Sequence, residues 1–531
     1  MRTSLILIFS IACTHTPGGK DAAGDSPAPA DSTVTADTAM DSTVDSVPTV
    51  SSPTCTLVTL AGSPSFNALN LYAVEGDAVS WQVACSDHPD AVLSLASPPG
   101  NATWSANTLA WTPPLDAAGR YDLDLVADID GSGVPVTATL WVSDNWRDPG
   151  NSLVDPVKYS EEDGVPVLNM DLPPQTNYDV DTPGNLYWQG HQYAVGVQYR
   201  GASSSYYPKH SYSVHFDATD EFDAPGWHHR RNISITSTFD DNTYIRQKMC
   251  YDLWSSLSTT HPVFQTKMVV LYLNDVYEGL MLISDHVDGQ WEHDNGYSNT
   301  GALYKAIDHS ANLDVKWNGS RKSSLDEGYE KKSGSATDWT DLEDLEKFVG
   351  TSDDATFEAN LDTTMSRDDF MDWWVFVRFV DAGDSAGKNS YLYRDPLDPV
   401  GIWHYTPWDF NHSMGQDWET VRVDATDSDD FTENNKFFER AFALPDLAPE
   451  MTSRMRTALD GPFAKAAVLQ HYDDEYAIID AAARRDWDKW ADQYDSYWGW
   501  RGDLNDYDGE VAYLKQWASD RWDYMDSVTG R

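Results

Sequence analysis

Basic residues are scarce in this chain. Its 531 residues carry 36 Lys and Arg against 85 Asp and Glu, a formal charge of −49 at neutral pH. Such a surface repels phosphodiester backbones, which excludes nucleic acid as a general partner. Any anionic ligand must then be met by a local gathering of cations. Cysteine is scarcer still, with four in all. Long apolar runs are missing: beyond the first dozen residues no stretch reaches the ~18 consecutive apolar residues that a membrane-spanning helix needs. The length exceeds one typical core, so two or three domains are expected.

The chain opens with Met1 to Ala12, one Arg followed by a short apolar run. This run is too short to span a bilayer and reads as a secretory signal. Ser10-Ile-Ala-Cys13 resembles a bacterial lipoprotein cleavage box, without the usual Leu three before the cysteine, so residues 1–13 read as a lipoprotein signal peptide with Cys13 the lipidated residue. Residues 14–53 are Asp, Ser, Thr, Ala, Pro and Gly with almost no large apolar residue, a composition that buries too little to fold and reads as a tether. In an exported chain Cys55 and Cys85 lie close enough in sequence to pair as a disulfide. Cys250 reads as a buried free thiol.

Residues 54–145 change character. Ala78 to Ala84, Tyr121 to Ala127 and Val136 to Val142 alternate apolar and polar side chains, with Gly, Pro and Asn between the runs. That pattern predicts a small all-β sandwich. The segment around Leu109 to Gly131 resembles cadherin-like or immunoglobulin-like repeats of bacterial surface proteins.

After a linker near Trp146 to Ser152 the main domain, residues 150–531, begins. Val195 to Arg200 reads as a strand, Gly201 to Ser205 as a small-residue loop and Lys209 to Phe216 as the returning strand. Such a loop can lay backbone N–H groups over a phosphate. Asp240 to Leu257 reads as a capped amphipathic helix whose Arg246 and Lys248 face solvent or an acidic partner. Met268 to Leu273 and Val276 to Ile283 flank Asn274-Asp275, a hairpin turn. Leu303 to Lys305 reads as a strand, Asn312 to Thr337 as a polar loop, and Ser366 to Asp369 as a capping box for a helix over 367–381. In the final helix Val511, Leu514, Ala518, Trp522 and Met525 form one apolar stripe.

The chemistry concentrates between Asp381 and Asn411. Asp384 is followed five positions later by Asn389, then by a strand, turns at Asp395-Pro396 and Asp398-Pro399, and a second strand running into Trp408-Asp409-Phe410. An Asp, an Asn five residues on, a hairpin and an Asp-Phe pair follow the layout of a protein-kinase site. There one carboxylate accepts the substrate hydroxyl proton, and a carboxamide and a second carboxylate hold hard cations against the phosphates. No His-Arg precedes Asp384, and Asn411 stands where a Gly follows the usual Asp-Phe.

Taken together, Tyr199-Arg-Gly-Ala-Ser-Ser204, Pro208-Lys-His-Ser-Tyr212, Tyr244-Ile-Arg-Gln-Lys248, Leu271-Tyr-Leu-Asn-Asp-Val-Tyr-Glu-Gly279, Leu303-Tyr-Lys305, Asp384 to Tyr393 and Pro407-Trp-Asp-Phe410 resemble the CotH kinase family. The resemblance implies an α+β, atypical protein-kinase-like domain that transfers the ATP γ-phosphate to protein Ser or Thr. By position it makes Asp384 the catalytic base and Asn389 and Asp409 the ligands of Mg²⁺ or Mn²⁺. It places Ser203 and Ser204 in the phosphate-covering turn, with Lys209 and Lys305 as alternatives for phosphate contact. Ala202, His210, Asp285 and Asn411 depart from the family pattern; the shorter Asp285 would bring any ion pair with a lysine to closer range.

The expected protein is an exported, lipid-anchored enzyme of the bacterial envelope or outer surface, acting on a protein substrate there. The competing reading is an inactive pseudokinase joined to an adhesion-like module. A third, sugar binding through the 22 Trp and 27 Tyr, ranks last because most fall at core spacing.

Overall fold

The computed structural model describes residues 53–60, 69–143, 145, 158–173, 180–201, 203–298, 300–316, 318–324, 326–394, 401–497, 499 and 501–530. The expected signal peptide with Cys13, nearly all of the tether, the linker near Trp146 to Ser152, Ala202 and the Asp395 and Asp398 turns lie outside them. Of Ser203 only the backbone is described.

In the N-terminal region two four-stranded sheets enclose one core. The first orders Leu57–Thr59, Val79–Cys85, Thr108–Trp111 and Thr103–Ser105; the second orders Asn70–Val74, Ser132–Ser143, Gly119–Ile129 and Val92–Leu95. The alternation read in the sequence becomes burial: Leu123, Leu125, Ala127 and Ile129 point inward from one strand. A disulfide joins Cys55 to Cys85, with 5.1 Å between their Cα atoms.

The main region is organised round a closed sheet. The strand order is Thr182–Trp188, His191–Arg200, Ser211–Phe216, Asn232–Ser237, Val276–Asp285, Thr266–Leu273 and Val165–Asp171. The last strand then pairs back to Thr182–Trp188, with Leu168 opposite Trp188. The hairpin turns at Asn274 (φ 53°) and Asp275 (φ 63°), both left-handed as a type I′ turn requires. Its strands are buried on both faces. Val269, Leu271, Met281 and Ile283 fill the interior of the closed sheet. Met268, Val270, Leu280 and Leu282 instead pack on a larger core shared with the helices.

Nine helices are described: α1 Arg246–Leu257, α2 Gly289–Asp294, α3 Thr340–Thr351, α4 Asp354–Thr364, α5 Arg367–Val380, α6 Lys436–Ala443, α7 Leu447–Asp460, α8 Lys465–Tyr497 and α9 Tyr507–Thr529. Helix α1 starts later than the sequence pattern predicts. The Asp241 carboxylate accepts from the N–H of Thr243 and of Arg246, at 3.0 and 2.8 Å, and holds residues 241–245 in a local turn. Arg246 and Lys248 do not face solvent. Arg246 is buried on Asp241, and Lys248 sits between Asp252 and Glu475.

Only half of the expected capping box forms at α5. Ser366 Oγ accepts from the Asp369 N–H at 3.3 Å, while the Asp369 carboxylate turns to His404 at 2.8 Å. Phe370, Trp373, Trp374 and Val377 are buried, as their spacing predicts. The helix ends at left-handed Asp381 (φ 56°), whose carboxylate meets Arg521 on α9. The segment expected as one polar loop contains a strand, Tyr329–Ser333. It joins Ala302–Ala306, Ser390–Arg394 and Trp403–Pro407 in a four-stranded antiparallel sheet. In α9, Leu514, Ala518 and Met525 are buried, with Val511 and Trp522 packed at the margin.

Candidate active site

A cleft of about 430 Å³ lies between the end of the closed sheet and the four-stranded sheet. Asp384, Asn389 and Asp409 line it together, brought from three positions by one piece of architecture. Helix α5 delivers the chain to a short 3₁₀ turn, Gly383–Ser385, that carries Asp384. Asn389 immediately precedes the strand Ser390–Arg394, and Asp409 follows the partner strand Trp403–Pro407. Because Ser390 pairs with Pro407, the two strand ends lie side by side. Asn389 Nδ2 donates to Asp384 Oδ2 at 3.3 Å, to Ser385 Oγ at 3.1 Å and to the Asp409 carbonyl at 3.4 Å. Asp384 Oδ1 is held by Lys388 at 2.9 Å and faces His309 at 3.5 Å.

Asn389 (φ 55°) and Asp409 (φ 62°) both have left-handed backbones. Outside glycine that conformation costs on the order of 1–2 kcal/mol per residue, with Asn and Asp tolerating it best. The Asp409 carboxylate is exposed to the cleft and receives no hydrogen bond or ion pair from the described residues. Asn389 Oδ1 is open in the same way. An uncommitted carboxylate and carboxamide oxygen are hard donors of the kind Mg²⁺ and Mn²⁺ take, so this donor set fits a divalent metal.

The cleft is also cationic, which the overall charge makes notable. Arg200, Lys305 and Lys332 all line the cleft. Lys305 makes no hydrogen bond or ion pair among the described residues; its ammonium lies 5.5 Å from the Trp408 ring centre and 5.9 Å from that of Tyr391. Burial, and then Arg200 and Lys332, bring its pKa down to about 8. Arg200 lies 5.3 Å over the same Trp408 ring. Beside them, burial and then Arg200 push His286 down to about 3, so it is neutral at ordinary pH.

The structure separates the two lysines that the sequence left as alternatives. Lys305 faces the cleft; Lys209 does not. The Lys209 ammonium is fully buried and uses its donors on Thr238 Oγ1 (3.0 Å), the Leu280 carbonyl (2.6 Å) and Asp486 Oδ2 (2.5 Å). Lys209 is a buried strut tying the closed sheet to α8. Gly279 (φ +126°) borders this pair, and any Cβ there would collide with the Asp486 carboxylate. Asp285 does not pair with a lysine either. It accepts from Arg230 Nε at 2.7 Å and from the Gln265 N–H at 2.8 Å.

Ser204 lines the cleft beside Gly201 (φ +102°), where any Cβ would overlap Ser204 Oγ. Asp240, His412, Lys332 and Lys388 also line it, and sequence reasoning singled out none of them. Asp240 Oδ2 accepts from Asn411 at 2.6 Å and from Tyr207 at 3.3 Å, and lies 3.3 Å from His412 Nε2. Burial opposes charge on His412, but Asp240, Asp409 and Asp384 outweigh it and raise its pKa. Another cation-binding arrangement, Asp252, His471 and Glu475, has ligand atoms within 4.8 Å of one another. The Lys248 ammonium already occupies it, 2.7 Å from Asp252 and 2.9 Å from Glu475.

With this geometry in hand, comparison with known proteins is decisive on one point. Residues 197–525 match the family model described as CotH kinase protein, covering the cleft and both of its walls. The chain belongs to the CotH kinase family. The chain is 27% identical over 233 residues to inner spore coat protein H of Bacillus subtilis (strain 168). That match covers 44% of this chain, which spans 62% of the length of the relative. Among solved structures, an endo-fucoidan hydrolase of glycoside hydrolase family 107 aligns at 10% identity with a TM-score of 0.15, over 30% of this chain and 26% of that one. A likeness that slight carries no argument about this CotH-family chain.

Proposed function

We propose that residues 150–531 form an atypical kinase-like phosphotransferase that moves the ATP γ-phosphate to Ser or Thr hydroxyls of a protein. The observation that carries this reading is the cleft itself. In a chain of net charge −49, three cations and two uncommitted oxygen donors line one cleft with a carboxylate held in place by Asn389 and Lys388.

Each group has a task in this proposal. Arg200, Lys305 and Lys332 draw the triphosphate into the cleft, where Gly201 and Ser204 lie against it. Asp384 accepts the proton of the substrate hydroxyl as its oxygen bonds to the γ-phosphorus. The bond from that phosphorus to the bridging oxygen breaks and ADP leaves. Asn389 and Asp409 would hold Mg²⁺ or Mn²⁺, which when bound spreads the charge of the phosphates. Asp240 holds Asn411, Tyr207 and His412 in place beside them.

The remaining assignments follow the sequence reading: a lipoprotein signal over 1–13 with Cys13 lipidated, a tether over 14–53 and an immunoglobulin- or cadherin-like module over 54–145. The relative's name as an inner spore coat protein supports an outer or envelope location, and the proposal takes a protein there as the substrate.

Isothermal titration of the protein with ATP tests the cationic wall. Phosphate binds the charged form of Lys305, whose pKa in the open cleft is about 8. Affinity is therefore expected to fall as pH rises from 7 to 9. Lys305→Met should weaken binding by roughly tenfold at pH 7, about 1.4 kcal/mol, and flatten that pH dependence. An unchanged Kd would remove Lys305 from the phosphate subsite. Gly201→Ala, which forces a side chain into a left-handed position against Ser204, should cost about 1 kcal/mol or more of stability, readable by chemical denaturation.

A further inference from the structure

A second cavity, of about 180 Å³, lies between the N-terminal sheets and α8. Tyr72 and Trp81 line it from those sheets, Ile478, Asp480 and Arg484 from α8, and Asp163 from the tip of a hairpin. None of these residues belongs to the cleft. We infer that this cavity binds a small organic ammonium ion, of the choline type, between the Tyr72 and Trp81 rings and the Asp163 carboxylate.

The charge balance carries the inference. Asp480 is neutralised by Arg484, 2.9 Å away, and Arg484 also pairs with Asp508. Among the described residues Asp163 has no such partner. It is 5% exposed, and among the described residues its carboxylate receives only the Ser143 hydroxyl, at 3.0 Å. The Arg485 guanidinium on α8 is committed to Glu162. With Asp163 ionised, the cavity wall therefore carries one negative charge in excess.

A buried carboxylate without a cation is costly, and a ligand that supplies the cation relieves that cost. Two aromatic rings beside it supply the electron-rich faces that ammonium ions favour. The backbone presents the carboxylate firmly, since Asp163 (φ 49°) and Gly164 (φ 79°) are both left-handed in a tight turn. The volume lies below the ~300–1,000 Å³ usual for drug-sized ligands, which suits a headgroup.

Burial raises the Asp163 pKa to about 7. The charged or titratable groups lining the cavity with it are Tyr72, Asp480 and Arg484. The raised value sets a sign. Folding favours protonated Asp163, so its contribution is fully present below about pH 4 and is lost as pH rises to about 7. The melting temperature of Asp163→Asn should accordingly gain on the parent across that window and stay level above it. Asn tolerates the left-handed turn, so the fold is kept.

The test uses the full chain at pH 8, with choline chloride as probe, read by tryptophan fluorescence and melting temperature at constant ionic strength. The uncharged isostere 3,3-dimethylbutan-1-ol and methyl glucoside serve as controls. Choline is expected to give a saturable response and to raise the melting temperature, with neither control doing so. Asp163→Asn and Trp81→Leu should each weaken the response by roughly tenfold or more. No saturable response to choline overturns the inference, and so does an equal response to either control. A choline response unchanged in both variants overturns it as well.

Discussion

Asp409→Asn is expected to abolish phosphate transfer while leaving the protein as stable as the parent. The Asp409 carboxylate makes no hydrogen bond or ion pair with the described residues, so removing its charge breaks nothing in the fold. Asn is the fitting replacement because it keeps the shape and accepts the left-handed backbone (φ 62°). Ala at the same position adds about 1 kcal/mol of backbone strain and so confuses two effects. Asp384→Asn should fail differently. It removes the proton acceptor and one partner of Lys388, with a loss in kcat on the order of 10²–10⁴, while metal-dependent ATP binding survives. Titration of nucleotide into both variants, beside a labelled-phosphate assay, separates the two roles. Equal loss of binding in both would mean that Asp384 holds the nucleotide rather than serving as the base.

Asp486→Ala is expected to destabilise the protein by about 3–5 kcal/mol, the usual cost of leaving a buried charge without its partner. Asp486 Oδ2 takes the Lys209 ammonium and the Leu280 N–H, at 2.5 and 2.6 Å, and Oδ1 takes the Tyr494 hydroxyl at 2.9 Å. Burial lowers the Lys209 pKa against the pull of Asp486. Without Asp486 the lysine must lose its proton or draw water inward. Replacing both partners, as Lys209→Met with Asp486→Leu, should recover most of the loss. Denaturant unfolding of the two proteins checks this. A single variant as stable as the parent would contradict the reading of Lys209 as a strut.

The same pair shows where the sequence stops being informative. Lys209 stood out from its place before an alternating strand, yet its partner lies 277 residues away on α8. Local pattern gives no access to such a separation. The hairpin at Asn274-Asp275, the strand pair over 195–216 and α5 were legible because periodicity and turn chemistry are local. Closure of the main sheet was not, because it depends on Val165–Asp171 finding both Thr182–Trp188 and Thr266–Leu273. Within the cleft, Asp384, Asn389 and Asp409 were legible because one hairpin joins them. Asp240 and Lys332 were not. Asp240 lay in what reads as the first turn of a helix, and Lys332 in what reads as a polar loop. Asp240 gained its place from Asn411 and His412, and Lys332 from the pairing of its strand with Ala302–Ala306.

The Lys305 assignment rests on a different kind of signal. Its strand was readable, but its position as a cation without a hydrogen bond or ion pair among the described residues, beside Arg200 and Lys332, is a tertiary fact. It makes the cleft an attractive place for phosphate in a protein that otherwise repels anions.

The most direct measurement is incubation of the full chain with γ-labelled ATP, an added protein bait and Mg²⁺ or Mn²⁺, in parallel with Asp409→Asn. The account predicts label on protein Ser or Thr, dependent on the metal and absent from the variant. Label that persists undiminished in Asp409→Asn, or a parent protein that neither transfers label nor binds ATP with metal, would contradict it.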